Sequence, residues 1–200
     1  RVLCIGAHCD DIEIGAGATI LKLAGLNPTV EMRWVVLSGD QTRHREQRAS
    51  FEAFTRTLKA SLDLHAFPDT LFPTALAEIK NALASYRPFE PDLVLTHARN
   101  DRHQDHRTVS DLTWNVFRDH LIAEYEIPKY DGELAHPNAF VEVDEPTLSR
   151  KCELITGSFA TQHAKPWFGA ETFRSLARLR GVECGRIYAE AFVVRKALLE

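Results

Sequence analysis

The sequence predicts an α/β domain built on a mostly parallel sheet flanked by helices, with a single domain spanning residues 1–200. Two observations carry that expectation. Short apolar runs that read as buried strands alternate with segments of helical period through the first two thirds of the chain, the order expected of βαβ units. No internal repeat, low-complexity tract or linker interrupts the 200 residues, a length that can bury one core without covalent or metal staples.

Taken in order, Arg1 to Ala7 reads as a buried strand because Val2, Leu3, Cys4 and Ile5 form a continuous apolar run. His8, Asp10 and Asp11 follow where such a strand would end. Gly15-Ala16-Gly17-Ala18 with Ile20, Leu21, Leu23 and Leu26 then reads as a helix. Val30 to Ser38 predicts a second strand ending in Gly39-Asp40. Arg43 to Lys59, with Phe51, Phe54 and Leu58 on one face, predicts an amphipathic helix. Leu62 to Phe67 suits a short edge strand. Pro73 to Tyr86 suits a helix with Pro in its first turn, broken by Pro88 and Pro91. Asp92 to Thr96 predicts a third central strand ending at His97. A polar loop over residues 98–106 leads to a helix over Arg107 to Ala123, with Val109, Leu112, Val116 and Phe117 on one face. In the less regular last third, Tyr125 to Tyr130 and Ala139 to Val143 read as strands. Thr147 to Phe159 and Glu171 to Leu179 read as helices, and Tyr188 to Arg195 as a closing strand.

Composition narrows the function. Hydrophobic content of 44% and charged content of 26% are ordinary for a globular protein. A net charge of −4 leaves no electrostatic footprint for nucleic acid or an anionic membrane. No apolar run approaches the ~20 residues of an integral membrane segment, and no signal-peptide pattern is present. The chain opens inside a strand at Arg1 with no initiator Met, so a few leading residues are expected to precede it. The four cysteines form no C-x-x-C pair, which argues against a zinc ribbon or a disulfide framework and for the reducing cytoplasm. Nine histidines, several of them close together, are many for this length.

In open α/β sheets ligands bind beyond the carboxyl ends of the strands. Two polar clusters are expected there: His8-x-Asp10-Asp11 and His103-x-Asp105-His106. Each alone has a plainer reading, as a turn or a helix cap. Parallel neighbouring strands would bring both to one edge of the sheet. Catalytic zinc takes three His or carboxylate ligands and leaves a position open for water. His8, one Asp of the first cluster and one His of the second supply that set, leaving carboxylates and a spare His for acid, base or supporting roles. Asp40 and His97 also end strands and are candidates to face substrate, with a surface turn as the plainer alternative.

These stretches resemble a known family. His8-Cys9-Asp10-Asp11 is similar to the H-P-D-D signature of the PIG-L/LmbE-like de-N-acetylases, and Asn100-Asp101-Arg102-His103-Gln104-Asp105-His106 to the stretch that holds their second motif, H-P-D-H. Lys151 with Thr161-Gln162 resembles the late Lys…Ser-Gln segment, and Tyr188-Ala189-Glu190-Ala191-Phe192 the closing Y-A-E-x-F strand. The resemblance implies a Rossmann-like fold and zinc held by His8, Asp11 and His106, although the same donors accept Fe2+ or another divalent metal. It implies Asp10 as general base and His103 as the group facing the oxyanion. A protonated His103 would suit that role, with Asp105 either orienting it or capping the helix. The reaction implied is hydrolysis of the N-acetyl group of an N-acetylglucosamine conjugate, releasing acetate; the partner is then a small N-acetylated sugar conjugate, and a homo-oligomer stays open.

Arg43 and Glu46 resemble the family's R-x-x-E helix start, which contacts the sugar, though Arg45 and Arg48 compete for that register. Cys9 and Gln104 stand where the family has Pro, and Cys9 reads best as an apolar bystander. His163, Lys165 and Trp167 fall in an irregular segment that could border the pocket. Two rival readings remain: an amidase acting on another amide-linked sugar conjugate, and a non-haem Fe(II) oxygenase using His8-x-Asp10…His106 as its triad. Such oxygenases usually stand on an all-β fold, and oxygen uptake with Fe(II) and 2-oxoglutarate separates the classes.

Overall fold

The computed structural model describes residues 1–27, 29–132 and 134–197. The first apolar run forms β1 (Val2–Gly6), and α1 (Asp11–Leu26) starts four residues before the expected Gly15, within the polar cluster. Next come β2 (Glu31–Val36), α2 (Gln41–Thr55) and β3 (Lys59–Leu64), then α3 (Leu76–Ala84), β4 (Leu93–His97), α4 (Gln104–Val116) and β5 (Leu121–Tyr125). The chain closes with β6 (Ala139–Val143), α5 (Glu145–Ser158), α6 (Ala170–Glu183) and β7 (Tyr188–Val194).

The strands lie in one sheet in the order β3-β2-β1-β4-β5-β7-β6. The first five are parallel, and β7 pairs antiparallel with both β5 and β6. Alternate residues explain the apolar runs: Val2 and Cys4 of β1 enter one core while Leu3 and Ile5 enter the other. Helices α1, α2, α5 and α6 cover the first face, and α3 with α4 the second. From β1 the chain runs outward to β2 and β3, then returns to place β4 on the other side of β1. The crevice at that reversal is where such sheets bind ligands. The α/β sheet also removes the all-β architecture on which the oxygenase alternative would stand. Among the described residues no helix is long and apolar enough to cross a membrane.

Three expectations need correction. The helix expected over Arg107 to Ala123 ends at Val116, and Leu121 to Tyr125 is instead a parallel strand, in register with β4 through Val94↔Ile122 and Leu95↔Ala123. The strand expected over Tyr125 to Tyr130 consequently ends at Tyr125. A short apolar run fits either period, and here pairing with β4 decides it. The helix expected over Pro73 to Tyr86 is split into a 3-10 turn at Phe72–Thr74 and α3, because Ala75 leaves the helical region at φ −119°.

Candidate metal centre and active site

β1 and β4 are paired parallel, so the segments that leave their carboxyl ends meet. His8 leaves β1 by a turn and His106 lies in the first turn of α4. His8 Nδ1 stands 3.1 Å from His106 Nε2. Asp11, at the start of α1, places one carboxylate oxygen 3.5 Å from His8 Nδ1 and the other 3.6 Å from His106 Nε2. Ligands sharing one tetrahedral ion with bonds near 2.1 Å would be separated by about 3.4 Å.

The other nitrogens of both rings are already committed. His106 Nδ1 lies 2.8 Å from Asp101 Oδ2, and His8 Nε2 lies 3.0 Å from Asp69 Oδ1 and 3.1 Å from Asp105 Oδ2. A carboxylate on the far nitrogen draws the ring N–H to itself and leaves the near nitrogen as a donor to metal. Two lone pairs and a carboxylate converging in a buried space call for a cation, so this donor set fits a divalent ion. Three further His/Asp groupings are close enough to share an ion: His8 with His103 and His106, Asp11 with His97 and His106, and, on the far Nε2 of His8, Asp69 with Asp105. In the first, His103 Nδ1 accepts a hydrogen bond from Asp105 N–H at 3.2 Å. In the second, His97 Nε2 accepts one from Ala7 N–H at 2.9 Å. Both nitrogens are occupied, which favours His8, Asp11 and His106 over those two.

Electrostatics follow the same geometry. Burial pushes Asp11 up, but facing His106, His97 and His8 outweigh it and hold the carboxyl well below the usual range. Burial acts to lower His8, yet hydrogen bonds to Asp105, Asp11 and Asp69 hold it well above its ordinary value. Burial and the neighbouring His97 bring His106 down to about 4, and burial with the charge of His8 lowers His103. Both effects favour the neutral His103 ring over the protonated one. With Nδ1 taken by Asp105 N–H, its proton sits on Nε2.

Asp10 precedes α1 at φ 96°, a left-handed conformation uncommon outside glycine, and its side chain makes no capping hydrogen bond. Such strain persists where the surroundings impose it. Here Gln47 Oε1 accepts from Asp10 N–H at 3.2 Å, and Arg43 Nη2 lies 3.0 Å from Asp10 Oδ2. Burial pushes the Asp10 carboxyl up to about 7 against the pull of Arg43.

A cavity of about 590 Å³ opens beside this centre, with Asp10, Arg43, His103, Lys129, Lys165 and Trp167 among its lining. Arg43 also donates to Cys9 O, to Glu46 at 3.0 Å and to Thr161 Oγ1 at 3.0 Å, whereas Arg45 and Arg48 are exposed. Asp40 caps α2, accepting from Arg43 N–H, and stands at the cavity rim. His97 does not reach the cavity. It is fully buried, stacked on His106 with ring centroids 3.9 Å apart, so it packs against His106 instead of facing the cavity. Asp105 differs from both expectations. Its carboxylate accepts from Thr70 N–H, Phe72 N–H and His8, while His103 is the residue that caps α4.

Cys9 is buried beside the cavity with its thiol pointing to Ser38 O, and burial pushes its pKa well up, as befits a bystander. Gln104 donates to Thr70 O, tethering the loop that carries Asp69. Lys165 and Trp167 border the cavity, whereas His163 turns away to Thr156 O. Sequence reasoning gave Asp101 no role of its own within the second motif stretch and missed Asp69. Asp101 had one usable signal, a carboxylate five residues ahead of His106 at the start of a helix; Asp69 had none.

Residues 3–117 match the family model described as PIG-L: GlcNAc-PI de-N-acetylase. The conserved protein TT1542 from Thermus thermophilus is similar in structure, with a TM-score of 0.78 at 20% identity over 100% of this chain and 96% of that one. The N,N'-diacetylchitobiose deacetylase from Pyrococcus horikoshii gives 0.74 at 23% identity, covering 96% of this chain and 82% of that one. GalB, the 4-carboxy-2-hydroxymuconate hydratase from Pseudomonas putida KT2440, gives 0.75 at 18% identity, covering 100% and 97%. Identities of this size speak for a shared fold, and a fold hosts more than one reaction.

Proposed function

The chain belongs to the PIG-L family of de-N-acetylases, hydrolases of N-acetyl amides, and on that premise we propose that it removes the acetyl group from an N-acetylglucosamine-type sugar conjugate, using a divalent ion held by His8, Asp11 and His106. The observation that carries this reading is the convergence of His8 Nδ1, His106 Nε2 and Asp11 within 3.1 to 3.6 Å of one another, beside an open cavity. Imidazole and carboxylate donors make zinc the favoured ion. When bound, zinc polarises the acetyl carbonyl and lowers the pKa of a water to about 7.

The chain's own groups supply the rest. Asp10, beside a ligand but free of the metal, takes the proton of the attacking water and delivers it to the amine as the C–N bond breaks. Arg43 holds that carboxylate and favours its ionised form against burial. His103 donates its Nε2 proton to the oxyanion as the acetyl carbon becomes tetrahedral, and the neutral ring suffices for that hydrogen bond. Asp101 fixes the tautomer of His106, as Asp105 with Asp69 does for His8. Trp167 and Lys165 offer an amphipathic wall against which a sugar and its substituent rest.

The test is acetate release from a panel of N-acetylated sugar conjugates, before and after chelation and with zinc restored. Release that vanishes with chelator and returns with zinc is expected. Release indifferent to chelator removes the metal, and no release from any N-acetyl conjugate, with another acyl group cleaved instead, moves the reading to an amidase of different specificity.

A further inference from the structure

Helix α1 is not held by its own ladder alone. The N–H groups of Ala18 and Thr19 donate to Glu190 Oε1 and Oε2 at 2.9 and 2.6 Å. The carbonyl of Ile14, the i−4 partner of Ala18, accepts from Lys151 Nζ at 2.7 Å. Lys151 and Glu190 are themselves paired at 2.6 Å, each side chain 5% exposed. An ion pair from α5 and β7 thus enters the backbone of α1 one turn after the metal-site residues. Its polarity suits that place: an anion at the N–H groups that begin the rest of the helix, a cation at a carbonyl that ends its first turn. Small residues make the approach possible. A Cβ on Gly17 would lie 3.4 Å from Lys151 Cγ and 2.9 Å from the Phe54 ring, and one on Gly15 would lie 2.2 Å from the Tyr125 ring.

We propose that Lys151 and Glu190 are positioning residues: they set the attitude of the first turn of α1, and through it the placement of Asp10 and Asp11. The inference rests on the roles given above to those two aspartates. A buried ion pair is weak evidence for stability, because desolvating two charges offsets most of their attraction. The place of this pair is more informative. It grips α1 where the first turn meets the remainder, and the same turn is gripped from α2, where Gln47 and Ser50 donate to Glu13 Oε1 at 2.8 and 2.6 Å. Gln47 also receives Asp10 N–H. The turn bearing Asp10 and Asp11 is therefore a unit clasped from three elements and joined to its own helix by a charged hinge point.

The test compares Lys151→Met and Glu190→Gln with Leu83→Ala, a core truncation in α3 on the opposite face of the sheet. In metal-free protein, amide exchange at Ile14 and Gly15 is expected to rise at least ten-fold in the two pair variants and stay unchanged in Leu83→Ala at similar thermal stability. Zinc affinity measured by chelator competition is expected to fall at least ten-fold in the pair variants alone. Exchange and affinity equal to the control would overturn the proposal, as would failure of both pair variants to fold, since the pair would then serve the fold as a whole. The exchange readout needs no metal. Wild-type protein that binds no zinc would count against the functional reading, and the exchange data would still judge the pair.

Discussion

His8 Nδ1 lies 3.1 Å from His106 Nε2 although 98 residues separate them, and each ring's other nitrogen is bound to a carboxylate. The two rings are thereby set as donors to one centre. His106→Ala and Asp11→Ala are each expected to lose bound zinc after dialysis, where the parent protein keeps about one equivalent. Metal analysis of the dialysed proteins decides it, and zinc undiminished in His106→Ala refutes its role as a ligand.

Asp10 sits next to that centre and, on the proposed reading, does not hold the ion. Asp10→Asn is expected to keep zinc while turnover falls roughly 10²–10⁴-fold, the usual weight of a general base. His103→Ala should likewise keep zinc and lose about 10²–10³ in rate, as for removal of one oxyanion donor. Metal content and acetate release measured on the same preparations check both. Asp10→Asn retaining near-full rate would remove Asp10 as the base.

Asp101 accepts from His106 Nδ1 and from His103 N–H at 2.8 Å each, so one carboxylate orients the His106 ring and braces the loop before α4. Asp101→Asn is expected to weaken zinc binding about 10- to 100-fold, the range for residues that orient ligands. Competition with a chelator measures it, and unchanged affinity would show that His106 is oriented without Asp101.

Glu13 is fully buried, with Oε1 accepting from Gln47 and Ser50 while Oε2 has no protein partner. Burial pushes its carboxyl from 4.5 up to about 7. Between those values the folded protein keeps a proton that the unfolded chain releases, so stability falls as pH rises through that window. Above pH 7 the loss amounts to as much as about 3 kcal/mol. In metal-free protein, Glu13→Gln is expected to flatten this dependence and to gain on the parent protein from pH 5 to 8. Urea denaturation of both proteins across that range provides the difference curve, and parallel curves would contradict the burial argument.

Parts of this molecule are readable from the chain because they depend on near neighbours. The buried strands β1, β2 and β4 announce themselves as apolar runs, and β6 is legible at its observed limits because Gly132, Pro137 and Asn138 set it apart from what precedes. The split helix after Pro73 and the strand β5 are not readable in that way. Leu121-Ile122-Ala123 carries no period of its own, and only the parallel register with β4 assigns it.

The site divides along the same line. The sequence by itself determined which residues could serve, since His8 with Asp10 and Asp11, and His103 with Asp105 and His106, are bound to be close within each cluster by a few peptide units. Tertiary structure decided what each one faces. Pairing β1 with β4 brought the clusters together. The packing of the loop around Asp69 turned Asp105 toward His8 and away from His103. Burial under His106 took His97 out of the cavity, and the insertion of Lys151 and Glu190 into α1 tied its first turn to residues more than a hundred positions away. The physical reason is the range of the forces: backbone propensity and spacing act over a turn of chain, while hydrogen-bond direction and desolvation are fixed only by what packs alongside.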